Sequence, residues 1–260
     1  MRAAEVNHLG AMDGGIAARD SRGAPASSQA PEVANPQSHA YLATLLFIAG
    51  YFVAAVACLW QWHSPRPWER LDIFSTGFLL VSLVWGCAMM RFHRSIFRSR
   101  EVMEEAAGVT YDPWMLRWIT IFAIAELTVF LDYGHWHLVP QLLNPVLQTI
   151  GLVLYLAGAV WLIWTDRYLA KVFAGDLSER KVMTKGPYRF VRHPRYAALI
   201  ASRIAFALTL GSILAWFFFF GWLWVNLRRV QLEEDHLRKL FGADYDRYAA
   251  KTARFLPGIH

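Results

Sequence analysis

Residues 197–225, AALIASRIAFALTLGSILAWFFFFGWLWV, form an apolar block in which the only charged residue is Arg203. About 20 apolar residues span the hydrocarbon core of a bilayer, so this block is too long for one straight crossing. Gly211 and Ser212 divide it into two arms. We therefore expect a tight helical hairpin in the membrane, with short arms that tilt or pack against neighbouring helices.

Four more apolar runs precede this block, and each approaches the length of a membrane-spanning helix. The composition agrees, since 56% of the residues are hydrophobic and 18% are charged, whereas soluble domains have ~45–50% and ~25%. The sequence predicts an all-α fold, a polytopic membrane helix bundle with about six membrane-embedded helices, including the C-terminal hairpin, and a cytoplasmic C-terminal helix. The four runs are Ala40–Trp60, Leu71–Met90, Met115–Leu131 and Val146–Trp164.

The distribution of lysine and arginine predicts the orientation, because cytoplasmic loops carry an excess of both. Basic residues follow the second and fourth runs, the loop 132–145 has none, and the weakly basic first loop, with Arg66 and Arg70, argues slightly the other way. We expect a multi-pass protein of the bacterial inner membrane or endoplasmic reticulum, with both termini cytoplasmic. The basic residues are Arg91, Arg94, Arg98 and Arg100 after the second run, and Arg167, Lys171, Arg180, Lys181 and Lys185 after the fourth.

The chain divides into three parts by composition. Residues 1–38 are rich in Ala, Gly, Ser and Pro and are expected to be a disordered tail. Residues 39–165 contain the four runs, and residues 166–260 carry the hairpin and the polar motifs. The net charge of +6 suits loops that face anionic membrane lipid rather than nucleic acid. No Cys/His pattern of metal-binding spacing occurs in the sequence, so we expect no metal site, and no obligatory protein partner is evident.

The polar motifs surround the hairpin. GPYRFVRHPRY (186–196) precedes it, and RVQLEEDHLRKLFGADYDRY (229–248) and RFLPG (254–258) follow it. Arg229 and Glu233 lie four residues apart and share a helix face; such a pair is usually an exposed salt bridge, and the basic residues alone could anchor lipid headgroups. Glu234 falls in an apolar stripe, which is unusual for a carboxylate unless it is paired.

In order and spacing, these motifs resemble the C-terminal signature of the isoprenylcysteine carboxyl methyltransferase family and its phospholipid methyltransferase relatives. The resemblance extends from Gly186 to the C-terminal end of the chain, whereas residues 1–145 match only in being apolar helices. Ala198 stands where many members have glycine. The resemblance implies an integral membrane enzyme that uses S-adenosylmethionine to methylate a lipophilic small-molecule or lipidated acceptor, with an isoprenylcysteine-like carboxylate as the first expectation.

The resemblance also implies roles for individual residues. Glu233 would hold the amino group of the cofactor, and Arg229 would orient the acceptor, so these two are the expected catalytic residues. The residues expected to line the cofactor are Arg180, Lys181, Val182, Met183, Tyr188, His193, Pro194, Arg195 and Tyr196.

Two other functions remain open. Membrane sterol-type reductases that use NADPH have a related terminal architecture, although Arg195 stands where their motif has asparagine. A non-catalytic membrane scaffold would need none of the ordered motif residues.

Two charges inside the apolar runs have two interpretations. In one, Arg203 reaches the cytoplasmic headgroups and Glu126 is protonated. In the other, they face a cavity between the hairpin and the third run, where Arg203 binds the polar end of the acceptor.

Overall fold

The computed structural model describes residues 36–60, 71–107, 114–174 and 181–258 as a set of helices with short connections. The described part has no extended strands, only two isolated β-bridges. The predicted tail lies outside the described residues up to position 35, and so does Arg180. The helices are α1 (Pro36–Leu59), α2 (Ile73–Ala107), α3 (Trp114–Leu131), α4 (Pro145–Ala174), α5 (Pro194–Thr209), α6 (Ile213–Phe241) and α7 (Ala243–Lys251).

The helices match the predicted apolar runs, and several continue beyond them. Four described helices contain stretches long and apolar enough to cross a bilayer: Leu42–Leu59, Ile73–Arg91, Pro145–Val172 and Ile213–Phe241. The all-α membrane bundle is therefore confirmed, while the number of embedded helices remains a prediction. Many large apolar side chains on the outside of the bundle are exposed, for example Val53, Val84 and Phe217, as expected for surfaces that face lipid.

The predicted hairpin is present between α5 and α6. Gly211 has a φ of +57°, and a Cβ there would lie 2.6 Å from the carbonyl oxygen of Leu142. The turn is held by the Leu142 amide, which donates to the Gly211 carbonyl at 2.7 Å. The Ser212 hydroxyl caps α6 by accepting from the Ala215 amide. Glycine is thus required at the turn by both its conformation and its close neighbour.

An aromatic cluster joins α2, α3, α4 and α5 in the centre of the bundle. The ring of Phe78 stacks on Tyr155 at 4.3 Å and meets Phe206 at 5.4 Å. Phe130 contacts Phe206 edge to face at 5.3 Å. These buried rings fix α5, and with it the motif residues at its N-terminal end, against the other helices.

Small residues allow α4 and α5 to pack closely, as is common between membrane helices. A Cβ at Gly151 would lie 2.6 Å from the backbone nitrogen of Thr209. We expect Gly151→Ala to lower the free energy of unfolding by about 1–3 kcal/mol, because the two helices must separate. Thermal unfolding in detergent measures this, with Gly221→Ala as the control, since a Cβ at Gly221 meets nothing within 4 Å. Equal melting temperatures for the two variants would contradict this packing.

Candidate active site

The three polar motifs come together at the N-terminal end of α5. The segment after α7 runs beside the residues before α5, with a parallel bridge between Val191 and Ala253. The amide of Arg192 donates to the Ala253 carbonyl at 2.8 Å, and the amide of His193 donates to the Arg254 carbonyl at 3.1 Å. The C-terminal segment is therefore hydrogen-bonded directly to the basic motif, although about 60 residues separate them in the chain.

Glu234 is the centre of a buried ionic cluster. Its side chain is completely buried, and its Oε1 accepts from Arg192 Nε at 3.2 Å and Arg254 Nε at 3.1 Å, while Oε2 accepts from Arg254 Nη2 at 2.6 Å. His193 Nε2 lies 3.0 Å from Oε1. The hydrogen bond to Glu234 raises the pKa of the Arg254 guanidinium above its usual range. The carboxylate in the apolar stripe is thus paired, and it joins α6 to both neighbouring motifs.

Further bonds close this arrangement around the C-terminal segment. Arg192 Nη1 donates to the carbonyl of Ala249 at 2.7 Å and also to that of Thr252. The Tyr248 hydroxyl donates to the Tyr188 carbonyl at 2.6 Å. The end of α7 therefore supports the short 3₁₀ turn, Gly186–Arg189, on which Tyr188 lies.

A second polar cluster forms around Glu233, the neighbour of the buried carboxylate. Burial raises the pKa of both Tyr188 and Tyr196, and the negative charge of the nearby Glu233 adds to both shifts. Glu233 is half-buried, so a ligand can reach its carboxylate, whereas Glu234 is completely buried. Tyr188, Tyr196 and Glu233 therefore lie close together, and we call them the second cluster.

An ion pair between α4 and α5 borders this second cluster. Arg195 Nε lies 3.0 Å from Asp166 Oδ1, and Asp166 is 1% exposed. The alignment is too poor for a hydrogen bond, so neither atom has a hydrogen-bond partner among the described residues. The charges of both residues act on the nearby Tyr188 hydroxyl. The pair therefore places unused hydrogen-bonding capacity beside the Glu233 cluster.

Comparison with known proteins gives the family. The family model for phospholipid methyltransferases matches residues 144–244, the region from α4 into α7. A rice (Oryza sativa) probable protein-S-isoprenylcysteine O-methyltransferase is 32% identical over 140 residues, which is 47% of this chain and 71% of that protein. Protein-S-isoprenylcysteine O-methyltransferase B of Arabidopsis thaliana is 24% identical over 219 residues, which is 73% of this chain and 99% of that protein.

The chain belongs to the protein-S-isoprenylcysteine O-methyltransferase family. It is therefore an integral membrane methyltransferase, and the methyltransferase interpretation of the motifs is confirmed. Use of S-adenosylmethionine follows in general terms from membership of a methyltransferase family.

Most residues that the sequence predicts for the site of this methyltransferase lie together. Tyr188, Tyr196 and Glu233 form the second cluster, and Arg195 borders it. Arg229 is half-buried one helical turn before Glu233. Pro194 does not interrupt a helix but begins α5, where a missing amide costs nothing. Of the upstream residues, Lys181 is exposed and Val182 and Met183 are half-buried.

His193 differs from the expectation in one respect. It was expected to line the cofactor, yet its Nε2 is engaged by Glu234 and the residue is only 4% exposed. Sequence reasoning did not assign Arg192, Glu234 and Arg254 to the site, although the unusual position of Glu234 was a signal. The sequence gives no reason to place Asp166 at the site, apart from its position just after an apolar run.

Proposed function

We propose that this membrane methyltransferase transfers the methyl group of S-adenosylmethionine to the carboxylate of a lipophilic, isoprenylcysteine-like acceptor. The observation that carries the proposal is the meeting of the three motifs at the N-terminal end of α5, where the buried Glu234 binds Arg192 and Arg254. The half-buried Glu233 lies directly beside this ionic cluster, near Tyr188 and Tyr196, at the entrance to the α5–α6 hairpin.

The residues of the second cluster match the polar groups of S-adenosylmethionine. Glu233 would hold the cofactor's ammonium group by a charge-assisted hydrogen bond. Arg195 would contribute to binding the cofactor's carboxylate, because its guanidinium is a cationic hydrogen-bond donor and its side chain is 34% exposed. Tyr188 and Tyr196 offer aromatic surfaces that attract a sulfonium.

The remaining motif residues complete the proposed site. His193 and Pro194 would form its wall beside the buried cluster. The upstream segment would cover the rest of the cofactor, with Arg180, Lys181, Val182 and Met183 as the proposed contacts.

The proposed chemistry is an in-line displacement. S-adenosylmethionine supplies a methyl group on a positively charged sulfur, so an acceptor carboxylate oxygen can form the new C–O bond as the S–C bond breaks and its electron pair stays on sulfur. No proton has to move, because the acceptor is already ionised. Arg229 would hold the acceptor carboxylate one turn from Glu233, and such positioning of the reactants can supply much of the acceleration.

The nature of the acceptor is supported by the relatives and by the membrane. The rice and Arabidopsis proteins are named for isoprenylcysteine, and a site among membrane helices is reached most directly by a molecule with an apolar tail. The basic loops support an orientation that places the cluster at the cytoplasmic side, where S-adenosylmethionine is available.

The test is calorimetric titration of the detergent-purified protein. We expect S-adenosylhomocysteine, the product form of the cofactor, to bind specifically and to be displaced by S-adenosylmethionine, while NADPH gives no heat. Binding of NADPH without binding of S-adenosylhomocysteine would contradict the proposal and favour a reductase.

Removal of divalent metal ions is expected to leave this titration unchanged. A sulfonium methyl group is already activated toward a nucleophile, so the chemistry does not require a Lewis acid. We expect the affinity for S-adenosylhomocysteine to agree within about twofold with and without EDTA, a free-energy difference well below 1 kcal/mol. A large loss with EDTA that added Mg²⁺ reverses would contradict this expectation.

A further inference from the structure

Inside the bundle, three polar side chains from three helices meet. Arg203 of α5 forms an ion pair with Glu126 of α3, and the Tyr51 hydroxyl of α1 donates a hydrogen bond to the same carboxylate. Arg203 therefore pairs with Glu126 inside the bundle. Each charge costs at least ~2.5–3.5 kcal/mol to insert at the centre of a helix, so such residues usually have a function.

The ion pair borders a cavity between α3 and the hairpin. The Arg203 side chain is 25% exposed and that of Glu126 is 18% exposed, so neither is sealed in the core. The Arg203 guanidinium lies 5.5 Å from the centre of the Trp222 ring. The other walls are largely aromatic, formed by Phe122, Phe206, Phe218 and Phe219. The cavity is small, about 20 Å³, so it suits only the anionic end of an amphiphile, whose apolar tail would lie against the surrounding aromatic side chains.

The cavity lies on the same helix faces as the candidate active site. Tyr196 and Arg203 are seven residues apart on α5, so they share a face about 10 Å long. On α6, Trp222, Asn226, Arg229 and Glu233 recur at intervals of three or four residues, which also defines one face. Tyr196 lies near Glu233 at one end, and Arg203 lies over Trp222 at the other. A line of polar and aromatic side chains thus leads from the cavity to the second cluster.

We propose that Arg203 is an additional binding point for the carboxylate of the lipophilic acceptor, and that Glu126 occupies Arg203 until the acceptor displaces it. The proposal rests on the proposed function and extends it to acceptor capture. An acceptor that enters from the bilayer would exchange its carboxylate for that of Glu126 and then continue along the α5–α6 face to Arg229. Methylation removes the negative charge, so the ester would no longer compete with Glu126.

A purely structural ion pair would behave differently. If the pair only joins α3 to α5, removing either charge leaves the other buried and unpaired, and both changes weaken the protein in the same way. If Glu126 competes with the acceptor, its removal strengthens binding of a carboxylate, whereas removal of Arg203 weakens it. The opposite signs separate the two accounts.

The probes are N-acetyl-S-farnesyl-L-cysteine, an isoprenylcysteine-like acid, and its neutral carboxamide. Binding of each is measured in nanodiscs for the wild type, Glu126→Gln, Glu126→Asp and Arg203→Gln, with Asp235→Asn as a charge-neutralising control at an exposed position. We expect Glu126→Gln to tighten binding of the acid at least about fivefold, and Arg203→Gln to weaken it at least about tenfold, because a charge-assisted bond is gained or lost. Binding of the carboxamide and of S-adenosylhomocysteine should stay within about twofold of the wild type in all variants. Glu126→Asp, which shortens the competing side chain, should also tighten binding of the acid.

Several results would overturn the proposal. One is weaker binding of the acid in both Glu126→Gln and Arg203→Gln, and another is an equal change of affinity for the acid and the carboxamide. A third is failure of both Glu126 variants to fold, since a displaceable carboxylate cannot be indispensable for the fold. Failure of the proposed function is distinguishable, because it would remove S-adenosylhomocysteine binding and methyl transfer in the wild type whatever the signs of the acid shifts.

Discussion

Glu233→Gln is expected to weaken S-adenosylhomocysteine binding at least about tenfold while the protein stays folded, because the charge-assisted bond to the ligand's ammonium group is lost. The substitution keeps the shape of the side chain and removes only its charge near Tyr196. Calorimetry measures the affinity, and thermal unfolding in detergent checks that the fold is intact.

Arg229→Ala is the matched comparison on the same face of α6. Since Arg229 is proposed to orient the acceptor, we expect nearly unchanged S-adenosylhomocysteine affinity and a turnover at least about tenfold lower. Should both substitutions leave affinity and turnover within about twofold of the wild type, Arg229 and Glu233 would form no more than an exposed salt bridge.

Glu234→Ala, unlike Glu233→Gln and Arg229→Ala, is expected to lower the stability of the fold strongly. The change leaves Arg192, whose side chain is 11% exposed, without its buried carboxylate, while Arg254 is 36% exposed and can be hydrated. Removing one partner of a buried ion pair costs about 3–5 kcal/mol, so we expect a loss toward the lower end of this range. The backbone bonds that hold the C-terminal segment to the motif before α5 should weaken with it. We expect a clearly lower melting temperature in detergent.

Asp235→Asn provides the control for this prediction. Asp235 follows Glu234 directly, but its side chain is 64% exposed and pairs only with the exposed Arg238 among the contacts of the described residues. The melting temperature of the Asp235→Asn variant should stay close to that of the wild type, since exposed ion pairs contribute little to stability. Similar melting temperatures for Glu234→Ala and Asp235→Asn would contradict the structural role of the buried cluster.

The sequence predicts the helices well because hydropathy marks the part of each that lies in the bilayer. It does not predict where α2 and α4 end. The helices α2, α4 and α6 continue into polar sequence, since the backbone can stay helical where the side chains become hydrophilic. A proline can end one helix or begin the next, and the structure shows that Pro194 begins α5.

The family resemblance of the motifs predicts Glu233, Tyr188 and Tyr196 as site residues. The structure brings these three residues close together, while their roles remain proposals. The pairing of Glu234 with residues from two distant segments depends on tertiary structure, so the sequence could show only that a carboxylate occupied an apolar stripe. The contacts of Asp166 with Arg195 and of Glu126 with Arg203 have the same origin, because each joins helices whose relative rotation no local pattern specifies.

Methyl transfer by the purified protein tests the central claim most directly. Wild-type protein in nanodiscs is incubated with S-adenosylmethionine carrying a tritiated methyl group and with N-acetyl-S-farnesyl-L-cysteine, and the product is treated with base to release esterified methyl groups as methanol. We expect label in a base-labile ester with the wild type, little with Glu233→Gln or Arg229→Ala, and none when the acceptor is the carboxamide. Absence of ester from folded wild-type protein that binds both ligands would contradict the proposed methyl transfer.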